Sequence, residues 1–250
     1  MFELVVQKGV SIFDKMQENC KESNQDALID HLKVPSNVLM MALRHKASNK
    51  LLIIGNVHVD FDWYGHSIRQ LLIICSASKI LHEFKESLKS GDQNLDIPHI
   101  FCGDFNIEPQ YPAYKVLSSE RLDKDDLEKL ETTDYIKYYE SIWLPSPVTN
   151  KISEKEKAIL CHLNKYFVNP LETVKSTYKT VLGREPEVTN HEGGKNHWIL
   201  DYLWYSSDSL CPTCVLDVVP LSLVDSVVGL PNEFFPSDHL SLKASYHFVN

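Results

Sequence analysis

Cysteine is scarce in this sequence: six in 250 residues, at Cys20, Cys75, Cys102, Cys161, Cys211 and Cys214. Their spacing is irregular, so the chain is not a small scaffold stapled by disulfides, and reduced thiols are expected. "CPTC" at 211–214 is a lone CxxC with no second ligand pair at a zinc spacing, and it reads as two structural thiols. Glycine is also sparse, at nine residues. Together with 43% hydrophobic and 24% charged residues, this excludes fibrous and disordered classes and leaves a globular chain. No apolar run reaches the roughly 18 residues of a membrane-crossing helix, and no membrane partner is expected. The start, "MFELVVQKGVSIF", has no basic region followed by an apolar core, and it is not expected to act as a secretory leader. Positive charge is in deficit too: net charge is −9 and the pI is near 5.6. A protein that coats nucleic acid nonspecifically needs a basic face. A nuclease that gathers carboxylates around a metal does not.

What is present is an α/β pattern, and 250 residues suffice for one domain spanning 1–250. Apolar runs at 2–7, 38–44 and 51–58 read as strands, the last buried on both faces. From Ser67 to about Lys89 apolar residues recur at helical spacing, and another buried strand follows at 98–102. Strand, helix, strand over about 50 residues marks a layered α/β unit. Residues 118–168 are acidic with apolar residues at helical intervals, and read as a helical surface insertion with a solvated charged face. Strands are expected again at 199–206, 214–219 and 239–248.

Polar residues stand where these strands end. "IIGNVH" delivers Asn56 and His58, "IFCGDFN" delivers Asp104 and Asn106, "ILDYLW" carries Asp201, and "FFPSDHLSL" places Asp238 and His239 before the last strand. Strand ends hold functional groups on a rigid scaffold without burying them. The set offers hard oxygens for Mg²⁺ and imidazoles for phosphate or proton work. Asp104 can orient or deprotonate a water, Asn106 can hold it, and His58, His239 and a Mg²⁺ can meet charge on phosphoryl oxygens. Asp201 can hold His239 in one tautomer. Alone, each has a plainer account: GDxN as a turn, His58 as a core histidine, Asp201 as a strand-edge charge, "SDH" as a helix cap. Four such elements at apolar strand boundaries, in this order, argue for one site.

Those motifs resemble the ordered motifs of the endonuclease/exonuclease/phosphatase superfamily, whose fold is a four-layer α/β sandwich of two mixed sheets flanked by helices. "GREPEVTN" before "LDYLWYSSDSL", and "GLPNEFFPSDHLSLKASYHF", are similar to the branch of carbon-catabolite-repressor-type deadenylases, Angel proteins, nocturnin and 2′-phosphodiesterase. The resemblance implies that His58 and His239 contact the scissile phosphate and that Asp104 acts as base beside Asn106. It implies metal ligation by Asp104, Asp201 and Asp238, with Asn56, Arg69, Asn190 and Trp198 near the substrate. Arg69 also reads as a helix-surface arginine, and Trp198 as strand packing.

The departures from the family are specific. The family's domain first supplies an Asn and then the Glu that is its principal Mg²⁺ ligand, and "FELVVQKGVSIFD" resembles a strand beyond both. The domain is therefore expected to be N-terminally incomplete, with weaker metal affinity and an open sheet edge. Ile107 replaces the small hydroxyl residue usual after GDFN, and Asn196 stands where deadenylases stack an adenine on an aromatic. The leading expectation is a Mg²⁺-dependent (or Mn²⁺-dependent) 3′→5′ exoribonuclease acting on poly(A) or related RNA ends and releasing 5′-nucleotides. The alternatives are a 2′,5′-oligoadenylate or cyclic-phosphate hydrolase, a lipid-headgroup or nucleotide phosphatase, and an inactive scaffold. The cysteine pattern suggests cytoplasm or nucleus, and an incomplete N-terminus leaves a mitochondrial address open.

Overall fold

A computed structural model describes residues 1–21, 36–60, 67–89, 96–131, 168–192, 196–226 and 229–249. The chain enters as β1 (Phe2–Ser11) and α1 (Ile12–Lys21), then β2 (Asn37–His45) and β3 (Leu51–His58). The long helix α2 (Ser67–Ser87) crosses to β4 (His99–Asp104), which lies parallel to β3. Short helices α3 (Pro112–Leu117) and α4 (Lys124–Glu131) follow, then β5 (Val174–Ser176) and α5 (Thr177–Leu182). The remainder is a hairpin of β6 (Asn190–Glu192) and β7 (Asn196–Trp198), then β8 (Asp201–Ser206), β9 (Leu210–Val215), α6 (Leu221–Val224) and β10 (Ala244–Phe248).

Among the described residues, six strands form one mixed sheet in the order β1-β2-β3-β4-β8-β5, and β9 pairs with β10 in a second. One face of the large sheet is closed by helices. Val38, Met40, Ala42, Ile53 and Val57 meet Leu71, Leu72, Ile74, Ala77 and Leu81 of α2 in the main core. The opposite face is closed only in part. Leu52, Ile100 and Tyr205 pack with Leu210, Tyr246 and Phe248 of the small sheet. α5 lies against β5, β8 and β9 where the two sheets meet: Thr177 bonds the Tyr246 hydroxyl, and the Tyr178 hydroxyl donates to the Leu216 carbonyl. Two sheets face to face, with helices on the outer face of the large one, match the expected α/β sandwich. Among the described residues coverage thins beyond β3: Phe248 still meets His45 at the end of β2, but Leu39 and Met41 on β2 are exposed, and on edge strand β1 so are Phe2, Leu4 and Val5.

β3 and β4 leave no room for a side chain one residue before their ends. Gly103 has φ +134°, and a Cβ there would lie 1.9 Å from the Val57 carbonyl oxygen, so only glycine fits.

Several strand boundaries differ from the sequence reading: the strand at 2–7 runs on to Ser11, and that at 199–206 begins at Asp201. The strand at 98–102 extends to Asp104 itself. The strand expected at 214–219 is β9 at 210–215, with Pro212 beside a register shift in an edge strand, where a missing N–H is tolerated. The strand expected at 239–248 begins only at Ala244, and residues 239–243 form a loop. Of the region 118–168, Lys124–Glu131 form α4, and residues 132–167 lie outside the described residues.

Candidate active site

The sheet register lines up the chemistry. His58 on β3 pairs with Asp104 on β4, and Asp104 pairs with Asp201 on β8, so three functional residues form one row across three strands. His239 closes the row from the loop before β10. Its Nδ1 lies 2.8 Å from Asp201 Oδ2, and its Nε2 lies 3.8 Å from Asp104 Oδ2. His58 Nε2 approaches Asp104 Oδ2 from the other side at 3.4 Å. A carboxylate thus sits between two imidazoles, with a second carboxylate holding one of them.

Backbone and amide donors fix these groups. The Asn106 N–H donates to Asp104 Oδ1 at 2.9 Å, and its side-chain amide donates to Asp104 Oδ2 and to the Val59 carbonyl. Asn106 holds φ +50°, a left-handed conformation that asparagine tolerates better than most residues. The Gln70 amide of α2 donates to the Asn106 carbonyl at 2.8 Å and locks that turn. Thr189, fully buried, accepts through Oγ1 from the N–H groups of Leu200 and Asp201. Its carbonyl accepts from Leu240 N, and its N–H donates to the Trp198 carbonyl. One residue therefore ties the hairpin, the start of β8 and the His239 loop together.

Electrostatics follow from this geometry. Burial, then the neighbouring Asp201 charge, pushes the Asp104 carboxyl up to about 6. The hydrogen bond to Asp201 raises the His239 imidazole to about 9, so it is a cation at neutral pH.

The structure thus brings His58, Asp104, Asn106, Asp201 and His239 together. Asp238 stands beside them, its carboxylate accepting from the Asn190 amide at 3.3 Å. Ligand atoms of Asp104, Asp201 and His239 all lie within 4.8 Å of one another. Among the described residues neither Asp238 nor any glutamate joins that group. Asn56 lies two residues before His58 on β3, its amide directed to the Cys102 carbonyl. It lines a cleft of about 590 Å³ with Gly9, Ser36, Asn37, Leu39, His58 and Asp60. Trp198 pairs with Asn190 across the hairpin. Arg69 lies in the first turn of α2, and its side chain is outside what is described. Sequence reasoning did not single out Thr189, Gln70 or Ser237, whose Oγ accepts from the His239 N–H. Their contribution is to backbone groups, and no chemical motif marks it.

These features define an α/β sandwich with a carboxylate–imidazole cluster at its strand ends, and comparison with known proteins gives the family. Residues 76–239 match the endonuclease/exonuclease/phosphatase family, and the chain belongs to it. It is 29% identical over 238 residues to carbon catabolite repressor protein 4 homolog 3 of Arabidopsis thaliana, covering 85% of this chain and 50% of that protein. It is 31% identical over 157 residues to the CCR4-Not complex 3′-5′-exoribonuclease subunit Ccr4 of Aspergillus clavatus, covering 63% of this chain and 19% of that one. The chain therefore spans half or less of the length of these relatives. The fold resembles the human Nocturnin catalytic domain (TM-score 0.56, 22% identity, 99% of this chain and 60% of that one). It also resembles ANGEL2, a 2′,3′-cyclic phosphatase, bound to adenosine-2′,3′-vanadate (TM-score 0.64, 20% identity, 98% and 67%).

Proposed function

We propose that this chain is a metal-dependent phosphodiesterase that removes nucleotides from RNA 3′ ends, as a 3′→5′ exoribonuclease of the deadenylase type. The observation that carries the reading is the row His58–Asp104–Asp201, closed by His239, on three neighbouring strands. The sequence relatives named above, one of them a 3′-5′-exoribonuclease subunit, support the choice of RNA.

Asp104 is suited to take a proton from an attacking water, because its pKa near 6 leaves it ionised yet basic at neutral pH. The two amide contacts from Asn106 hold its carboxylate in one orientation. His239, kept charged by Asp201, faces the negative phosphoryl oxygens as a donor, and exposed His58 offers a second imidazole at the rim. A divalent cation fits the site, since the Asp201 charge that helps push the Asp104 carboxyl up is offset by positive charge between them, and both present hard oxygens. Asp104 and Asp201 would hold Mg²⁺ or Mn²⁺, and the ion would polarise a phosphoryl oxygen.

The test is release of AMP from oligo(A) RNA with a free 3′ hydroxyl, with Mg²⁺, with Mn²⁺ and with EDTA. Asp104→Ala is expected to lower the rate by about 10²–10⁴, the range of a lost general base. A folded chain that releases nothing from this RNA with either metal would overturn the reading in favour of a non-catalytic relative.

A further inference from the structure

We infer that Phe234 is a stacking platform for a nucleobase of a single-stranded substrate. This rests on the phosphodiesterase reading and narrows its substrate to a nucleic acid.

Phe234 is 86% exposed, the most exposed large apolar side chain among the described residues after the N-terminal methionine. It is not on a loose segment. The Asn232 side-chain oxygen accepts from the N–H groups of both Phe234 and Phe235 at 2.9 Å. The Asn232 N–H donates to the Phe235 carbonyl at 2.8 Å, and its amide donates to the Gly229 carbonyl. Phe235 packs on a small cluster of Val188, Val224, Leu230 and Leu240. Two adjacent phenylalanines therefore part company: one anchors the loop, and the other is held out in water by a backbone fixed on both sides of it.

The same loop ends in the site. Phe234 precedes His239 by five residues, so their Cα atoms are at most about 18 Å apart, at about 3.6 Å per extended residue. A base resting on Phe234 would belong to the strand whose phosphate meets His239. Charge supports the assignment. At net −9 the chain has no overall basic excess to track a backbone, and base–aromatic stacking gives affinity that needs no cation. A choline headgroup or a sugar would meet such a ring only through a cation or C–H groups, whereas every nucleobase offers a flat π-face to stack on it.

The test uses the Asp104→Ala chain, which binds without turnover, and fluorescence anisotropy with labelled oligo(A) and with an abasic oligomer of equal length. In that background Phe234→Ala is expected to weaken oligo(A) binding by about five- to a hundredfold, the range of one lost base stack. Phe234→Trp is expected to restore binding and Phe234→Leu not to, while the abasic oligomer is insensitive to all three. In the otherwise wild-type chain, Phe234→Ala raises KM and leaves kcat within about twofold, with an unchanged melting temperature because the ring is exposed. Equal oligo(A) affinity for Phe and Ala, or full restoration by Leu, would overturn the proposal, as would a parent chain that binds no oligonucleotide. Loss of self-association with unchanged RNA binding would assign the ring to a protein contact instead. RNA that binds through Phe234 but is never cut by the wild-type chain would sink the catalytic reading and leave this one standing.

Discussion

At the scale of single residues, His239 links stability to pH. Its imidazole is raised to about 9 by Asp201, against about 6.5 in an unfolded chain. The folded state therefore holds this proton more tightly. The resulting stabilisation is complete below pH 6.5 and disappears as pH rises through 9. Melting temperatures of wild type and His239→Gln in EDTA are expected to differ most at pH 6 and to converge by about pH 9.5. Asp104 has the opposite sense for a carboxylate: held up to about 6, it favours the protonated folded state and costs stability once ionised. In EDTA at pH 7.5, Asp104→Asn is expected to melt above the wild type while losing activity, a trade common where a site is built from strained electrostatics. A variant that melts lower at pH 7.5 and equal at pH 4 would contradict this account.

Elements place those residues, and Thr189 is where the elements meet. Thr189→Val keeps shape and burial but strips the acceptor from two backbone donors, at Leu200 and Asp201. The expected loss is about 2–4 kcal/mol in urea unfolding, as for two unpaired buried groups, with Thr189→Ser close to wild type. Because Asp201 and the His239 loop both hang on this residue, kcat is expected to fall more than KM rises. Much of this site is legible in the sequence. His58 and Asp104 each close an apolar strand and Asp201 opens one, so the run gives away both the strand and its boundary. His239 is legible for its chemistry but not for its setting: "HLSLK" alternates like a strand, yet it is loop tied to Thr189. The hairpin 190–198 carries no apolar alternation, because its job is hydrogen bonding to Asp238 and His239. β9 hides because "LCPTCV" is less apolar than the "VLDVV" stretch that overlaps and follows it, although Leu210 is what reaches the core. Propensity says little in these places, because tertiary contacts decide them.

On the scale of the whole molecule, the large sheet carries its apolar surface unevenly. The small sheet covers β3, β4 and β8, while Leu39, Met41, Phe2, Leu4 and Val5 face solvent beside an open edge. Long apolar edges invite pairing with other chains, and a charge on the edge discourages it. Val5→Lys, at the irregularity in the β1–β2 register, is expected to reduce light scattering at high concentration with little change in melting temperature. Unaltered scattering would place the association elsewhere. The uncovered half-face also bears on temperature. Apolar attraction weakens on cooling and strengthens on moderate warming. This chain is therefore expected to stay dispersed in the cold and to cluster, reversibly at first, on warming well below the temperature at which its core comes apart.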